Sequence, residues 1–113
     1  MKVEFEKKMR IVGDLLSYCH LKGAVEFHVD MTDQKDAWLF IIKAYPLDIS
    51  EEEFEELRKN LYAPRQMEIE HDFWGLMGES ESFSELMLVG MMSDEAGIEY
   101  HGDELTIMIK RYD

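Results

Sequence analysis

The sequence predicts an α/β protein of the α+β two-layer sandwich type, with a mixed, mostly antiparallel sheet and helices on one face. Three observations predict it. Apolar residues recur at three- and four-residue steps in three segments, and they alternate or run continuously in four others. The strand segments come as two pairs, and helical segments lie between the pairs. With 113 residues, the chain reads as a single domain, 1–113, large enough for a modest core.

Each element has a local reason. Residues 4–21 carry Phe5, Met9, Val12, Leu15, Leu16 and Cys19 at helical spacing, with Gly23 as a stop. Val25, Phe27, Val29 and Met31 alternate with Glu26, His28 and Asp30, which predicts a half-buried strand, and residues 32–36 form the polar turn after it. Residues 37–44 are apolar at both parities and predict a central strand, ended by Pro46. Ser50 and Glu53 form a capping box for a helix with Phe54, Leu57 and Leu61 on its stripe. The acidic cluster Glu51, Glu52, Glu53, Glu55 and Glu56 sits at its N-terminal end, where the helix dipole favours negative charge, and reads as a solvated face. Residues 63–81 hold Pro64, Gly75 and Gly78 and predict an irregular connection with one short strand or turn. A third helix over 82–96 follows, with Ser82 and Glu85 as its capping box, Leu86, Val89, Met92 and Ala96 on one face, and Gly97 as its end. Ile98–Tyr100 and Leu105–Arg111 flank His101-Gly102-Asp103-Glu104, a hairpin signal.

Composition narrows the function classes. The 13 aromatic residues and 46% hydrophobic content argue for packing over disorder. No stretch reaches the roughly 18–20 apolar residues of a membrane span, and the start of the chain lacks a signal-peptide apolar region. Cys19 is the only cysteine, so no internal disulfide forms, and the expected compartment is the cytoplasm. A net charge of -13 opposes nucleic acid and anionic membrane as partners.

No catalytic residue and no metal site emerge. His28 and Asp30 share a strand face and His71 adjoins Asp72, but zinc wants three or four ligands at characteristic spacings. Cys19 and His20 diverge by about 100° on a helix, a poor geometry for a nucleophile and its base. Cys19 falls on the apolar stripe and reads as core. Met87, Met91 and Met92 in the third helix read as flexible core filler, the alternative being an adaptable partner surface.

The segment from Trp38 to Leu57 (WLFIIKAYPLDISEEEFEEL) resembles a strand, nucleotide loop and following helix of the Bergerat-type ATPase domain. That domain is shared by histidine kinases and anti-sigma-factor serine kinases. The segment from Ser84 to Arg111 (SELMLVGMMSDEAGIEYHGDELTIMIKR) is similar to the family's C-terminal helix and closing hairpin, especially in the anti-sigma branch. The resemblance implies that the first helix should carry a metal-holding asparagine near Ser17 or Tyr18, and neither is Asn. Ala44 stands where the adenine-reading aspartate belongs, and Asp48 is a displaced substitute. Glu85 and Met87 stand where phosphate-contacting glycines would lie. A degenerate ATP lid at 63–83 keeps only Gly75 and Gly78. Asp48, Gly75 and Gly78 are therefore the only cofactor-binding candidates if ATP binds at all; otherwise no cofactor is expected.

The resemblance thus implies a non-catalytic regulatory or protein-binding domain on a histidine-kinase-like fold, in bacterial signal transduction. The alternatives are an active ATP-binding anti-sigma or serine-kinase-like protein and an unrelated α+β small-ligand module. If helices cover one sheet face, strand 37–44 leaves Trp38/Phe40/Ile42 or Leu39/Ile41 on the other. A protein partner or a second copy is expected to cover that exposed sheet face.

Overall fold

The structure, a computed structural model, describes residues 2–68, 70 and 85–112. Its elements are α1 (Lys2–Leu21), β1 (Glu26–Asp33), β2 (Ala37–Tyr45), α2 (Glu51–Leu61), α3 (Glu85–Met91), β3 (Glu95–His101) and β4 (Glu104–Tyr112). The four strands form an open sheet in the order β1-β2-β4-β3. The helices occupy one face, where α1 packs on β2, α2 on β3, and α3 against both helices.

Every strand pair is antiparallel, so the parallel pair that a mixed sheet would need does not occur among the described strands. The reason is which hairpin strand enters the middle. β4 lies beside β2, pairing Ile42 with Ile107 and Phe40 with Ile109. Had β3 taken that place in the same hairpin, it would have run parallel to β2.

The core lies between sheet and helices. Phe40, Ile42 and Ala44 of β2 and Leu105, Ile107 and Ile109 of β4 are fully buried. They meet Ile11, Leu15 and Cys19 of α1, Leu57 and Leu61 of α2, and Leu88, Val89 and Met92 at α3. The stripe of α1 is rotated from its sequence expectation. Phe5 and Met9 remain 50% and 40% exposed, while Ile11, Lys7 and Lys8 are buried. The two lysines turn inward because each has a partner there: Lys7 reaches Glu70, and Lys8 lies 4.9 Å over the Trp38 ring.

α2 forms as expected. Ser50 Oγ accepts from the Glu53 amide and Glu53 Oε1 accepts from the Ser50 amide, both at 3.1 Å. Between residues 63 and 81 the described part is helical at Met67, Glu68 and Glu70 rather than extended, with the Glu70 amide donating to the Gln66 carbonyl at 2.9 Å. Gly75, Gly78, His71, Asp72, Glu81 and the Ser82 cap lie outside the described residues.

The third helix stops sooner than expected. It ends at Met91, and Ala96 and Gly97 belong to β3, opposite Ile109 and Met108. Ser93 ends it by donating its hydroxyl back to the Val89 carbonyl at 2.6 Å, after which the Asp94 amide donates to the Lys110 carbonyl. α2 and α3 cross closely at Gly90, where a Cβ would stand 2.2 Å from the Asn60 carbonyl oxygen. β1 and β3 both outrun their expected lengths, and the second hairpin turns through Gly102, whose φ of 62° suits glycine.

Candidate functional site

The end of α1, the loop after β2 and the start of α2 converge at the C-terminal end of β2, where the resemblance would place a nucleotide. Ser17 is exposed there and Tyr18 is half-buried. Ala44 is fully buried, its methyl facing the core, with no acceptor to read a base. Asp48 is exposed on the loop. The gap between α1 and α2 is bridged by an ion pair of Lys22 with Glu53, and the Lys22 ammonium also sits 5.7 Å from the Tyr18 ring centre. The Lys22 hydrogen bond, with the helix cap, holds the Glu53 carboxyl below its ordinary range. Burial and the neighbouring Glu53 charge push the Tyr18 phenol up to about 12.

The loop is fastened on its other side. The Leu47 amide donates to the Asp103 carbonyl at 2.8 Å, and the Tyr100 hydroxyl donates to the Leu47 carbonyl at 2.6 Å. Tyr100 stacks on Phe54 of α2, with ring centres 6.3 Å apart. A groove of about 420 Å³ lined by Ile49, Ser50, Phe54 and Tyr100 opens beside them. Glu51 and Glu55 also line it, so an anionic ligand meets two like charges there.

The second surface is the sheet face away from the helices. Register places Leu39, Ile41 and Lys43 of β2 on it, beside Lys110, Met108 and Thr106 of β4. Of the two sets in strand 37–44, Leu39/Ile41 therefore faces outward and Trp38/Phe40/Ile42 faces the core. Met108 is 45% exposed, and Leu39 and Ile41 are half-buried. Asp30 and Thr32 of β1 flank this apolar centre on one side, and Glu95 and Gly97 of β3 on the other. The result is a small apolar strip in a charged frame.

A third constellation escaped the sequence. Glu70 is 4% exposed and accepts from both ends of the Arg111 guanidinium, at 2.8 and 2.7 Å. Lys7 Nζ donates to it at 2.9 Å, and Arg65 Nε at 3.3 Å. Burial alone would raise this carboxyl, but the Arg111 and Lys7 hydrogen bonds and the charges of Arg111 and Arg65 outweigh it and hold the group at about 2. Arg111 also reaches the Met92 carbonyl at 2.6 Å and Glu4 at 3.1 Å. Arg65 ties Asp94 and the Tyr112 carbonyl at 2.8 and 2.9 Å. Among the described residues, Lys7, Arg65 and Arg111 face Glu4, Glu70 and Asp94, so the cluster ties α1, the Glu70 segment and β4 together, although the buried Arg111 Nε has no hydrogen-bond partner there. Its members lie up to 107 residues apart, so no local spacing could have signalled it.

Cys19 is fully buried, and burial raises its thiol to about 11. His28 and Asp30 share the outer face of β1, but His28 bonds Glu26 at 2.7 Å and stacks on Tyr45. Met91 and Met92 are buried, as core filler requires, while Met87 is only half-buried. Among the described residues, no helix is long and apolar enough to cross a membrane. No family model matches the sequence, and no curated protein matches it.

Proposed function

We propose that this chain is a non-catalytic regulatory domain that binds protein, built on a histidine-kinase-like ATPase scaffold that has lost its nucleotide chemistry. The observation that carries the reading is the state of the would-be nucleotide site. Its base-reading position is the buried methyl of Ala44, and the approach between α1 and α2 is spanned by the Lys22–Glu53 ion pair beside Tyr18. The element order, with helix and hairpin first and helix and hairpin last, accords with the same scaffold. What supports protein binding is the outward strip of Leu39, Ile41 and Met108, an apolar centre with a polar rim. On this reading the scaffold presents a surface and turns nothing over, in a bacterial signalling role.

Two measurements test it. Calorimetric titration with ATP and magnesium to millimolar concentration should give no saturable heat. A dissociation constant below about 100 μM, or roughly -5.5 kcal/mol, would establish the active ATP-binding alternative instead. Affinity purification from native lysate with the wild type and with Ile41→Lys should recover a partner that the variant loses. Identical recovery would remove the sheet face as the binding surface.

A further inference from the structure

β1 is an edge strand of unusual character. It pairs only with β2 among the described strands, and seven of its eight residues are exposed along its length. Edges of this kind are ordinarily blunted by charged side chains, proline, bulges or brevity. β1 has no proline or lysine, its carboxylates Glu26, Asp30 and Asp33 leave the row Phe27, Val29 and Met31 apolar, and over eight residues it carries Phe27 and Val29 at 36% and 42% exposure.

The backbone phase of that edge can be read from the hairpin. The Gln34 amide donates to the Ala37 carbonyl, so even-numbered residues of β1 turn their polar groups toward β2. Val25 also donates to the Tyr45 carbonyl, opposite the Glu26–Tyr45 pair, which marks a bulge that ends the regular edge at Glu26. The amides and carbonyls of Phe27, Val29 and Met31 therefore point outward from the sheet. Their side chains share the helix-side parity of the buried partners Ala44, Ile42 and Phe40.

We infer that β1 pairs with β1 of a second copy, antiparallel about a two-fold axis at Val29, to make one continuous sheet across a homodimer. Two constraints select that register. Outward polar groups must face each other, so odd residues pair with odd ones. The charges must also match. Centring on Val29 sets Phe27 against Met31 of the second copy on the helix side, and His28 against Asp30 of the second copy on the outer face. The His28 imidazole then has a carboxylate on each side, its own Glu26 and the second copy's Asp30, either of which accepts an N–H. Centring on Asp30 would oppose two Asp30 carboxylates, and centring on His28 would set Glu26 against Asp30. Like charges directly opposite destabilise a sheet. Centring on Phe27 or Met31 opposes no like charges but shifts the two-fold toward an end of β1 and shortens the overlap. The Val29 centre sets His28 against Asp30 twice and overlaps Glu26 through Thr32. The pairing is separate from the protein-binding strip, which stays uncovered.

Sedimentation at roughly 100 μM and about 0.15 M salt, where a Debye length of about 8 Å damps the net charge of -13 but spares cross-strand neighbours about 5 Å apart, should show a dimer. Val29→Pro removes an outward amide while leaving the β2 ladder intact, and should raise the dimer dissociation constant at least about tenfold. H28D, at an exposed position, should do the same by opposing two carboxylates, and the swap H28D/D30H should restore the dimer. If Val29→Pro fails to fold, the charge pair alone decides. Hydrogen exchange should find the Phe27, Val29 and Met31 amides protected only in the dimer. A monomer at every concentration overturns the proposal. So does a dimer that survives H28D, or one that Met108→Asp abolishes, which would place the contact on the sheet face.

Discussion

Replacing Glu70 by Gln removes the one carboxylate on which Arg111, Lys7 and Arg65 converge. The amide keeps the shape, but it loses the charge and turns an N–H₂ group toward donors. The folded protein holds this carboxyl at about 2, below its ordinary 4.5. At about 1.4 kcal/mol per pH unit, that gap is worth roughly 3 kcal/mol of stability. Breaking one side of a buried ion pair costs about 3–5 kcal/mol in general, so the two routes agree. Because the folded value lies below the unfolded one, the contribution is complete above 4.5 and is lost as pH falls from there toward 2. Urea unfolding followed by tryptophan fluorescence should find Glu70→Gln weaker by about 3–5 kcal/mol at pH 7, a drop in Tm of roughly 12–20 °C. Between pH 4.5 and 2 the wild type should lose stability more steeply than the variant, and the two should converge. A variant within about 1 kcal/mol of wild type at pH 7, or one with a parallel acid limb, would refute the reasoning.

Gly90→Ala should destabilise by at least about 2 kcal/mol, because the overpacking at the Asn60 carbonyl exceeds the roughly 1 kcal/mol gained in helix propensity. A neutral or stabilised variant in the same urea assay would show that α2 and α3 do not cross so closely. Cys19 should resist thiol reagents at pH 7.5 and react only in denaturant, since burial keeps it both covered and protonated. Stoichiometric labelling of the native protein within minutes would contradict its place in the core.

The two hairpins, the α2 capping box and the central position of β2 were legible because each rests on neighbours in sequence. What misled was phase. Leu86, Val89, Met92 and Ala96 fit a helical stripe, yet Ala96, Ile98 and Tyr100 alternate with Glu95, Gly97 and Glu99. That period of two is the one the chain adopts once β4 is available as a partner. The α1 stripe departs from simple periodicity at Phe5 and Met9 because Lys7 and Lys8 turn inward, and in a sequence a buried lysine looks like a surface one until its partner, here Glu70 or the Trp38 ring, is placed beside it. Glu70 was hidden for the same reason, as one acid among 25 acidic residues. Of the candidate site, the sequence shows Ser17, Tyr18 and Ala44 at the positions where the resemblance would call for Asn and Asp. The Lys22–Glu53 bridge joins side chains 31 positions apart, and only the packing of α1 beside α2 brings them together.

The strand order carries a consequence for how the chain acquires its shape during synthesis. β4 follows β1, β2 and β3 in the chain, yet it is inserted between β2 and β3. Until it emerges from the ribosome, the first hairpin has no inner neighbour and β3 has no partner at all among the described strands. Arg111, which fastens α1 to the Glu70 segment, arrives with it. Until then Phe40 and Ile42 have only α1, and later α2 and α3, to cover them, without the Ile107 and Ile109 side chains that complete the core. A fragment that ends between β3 and β4 would leave the inner edge of β2 and both edges of β3 unpaired, so proteolysis or stalled translation there should yield products cleared by quality control.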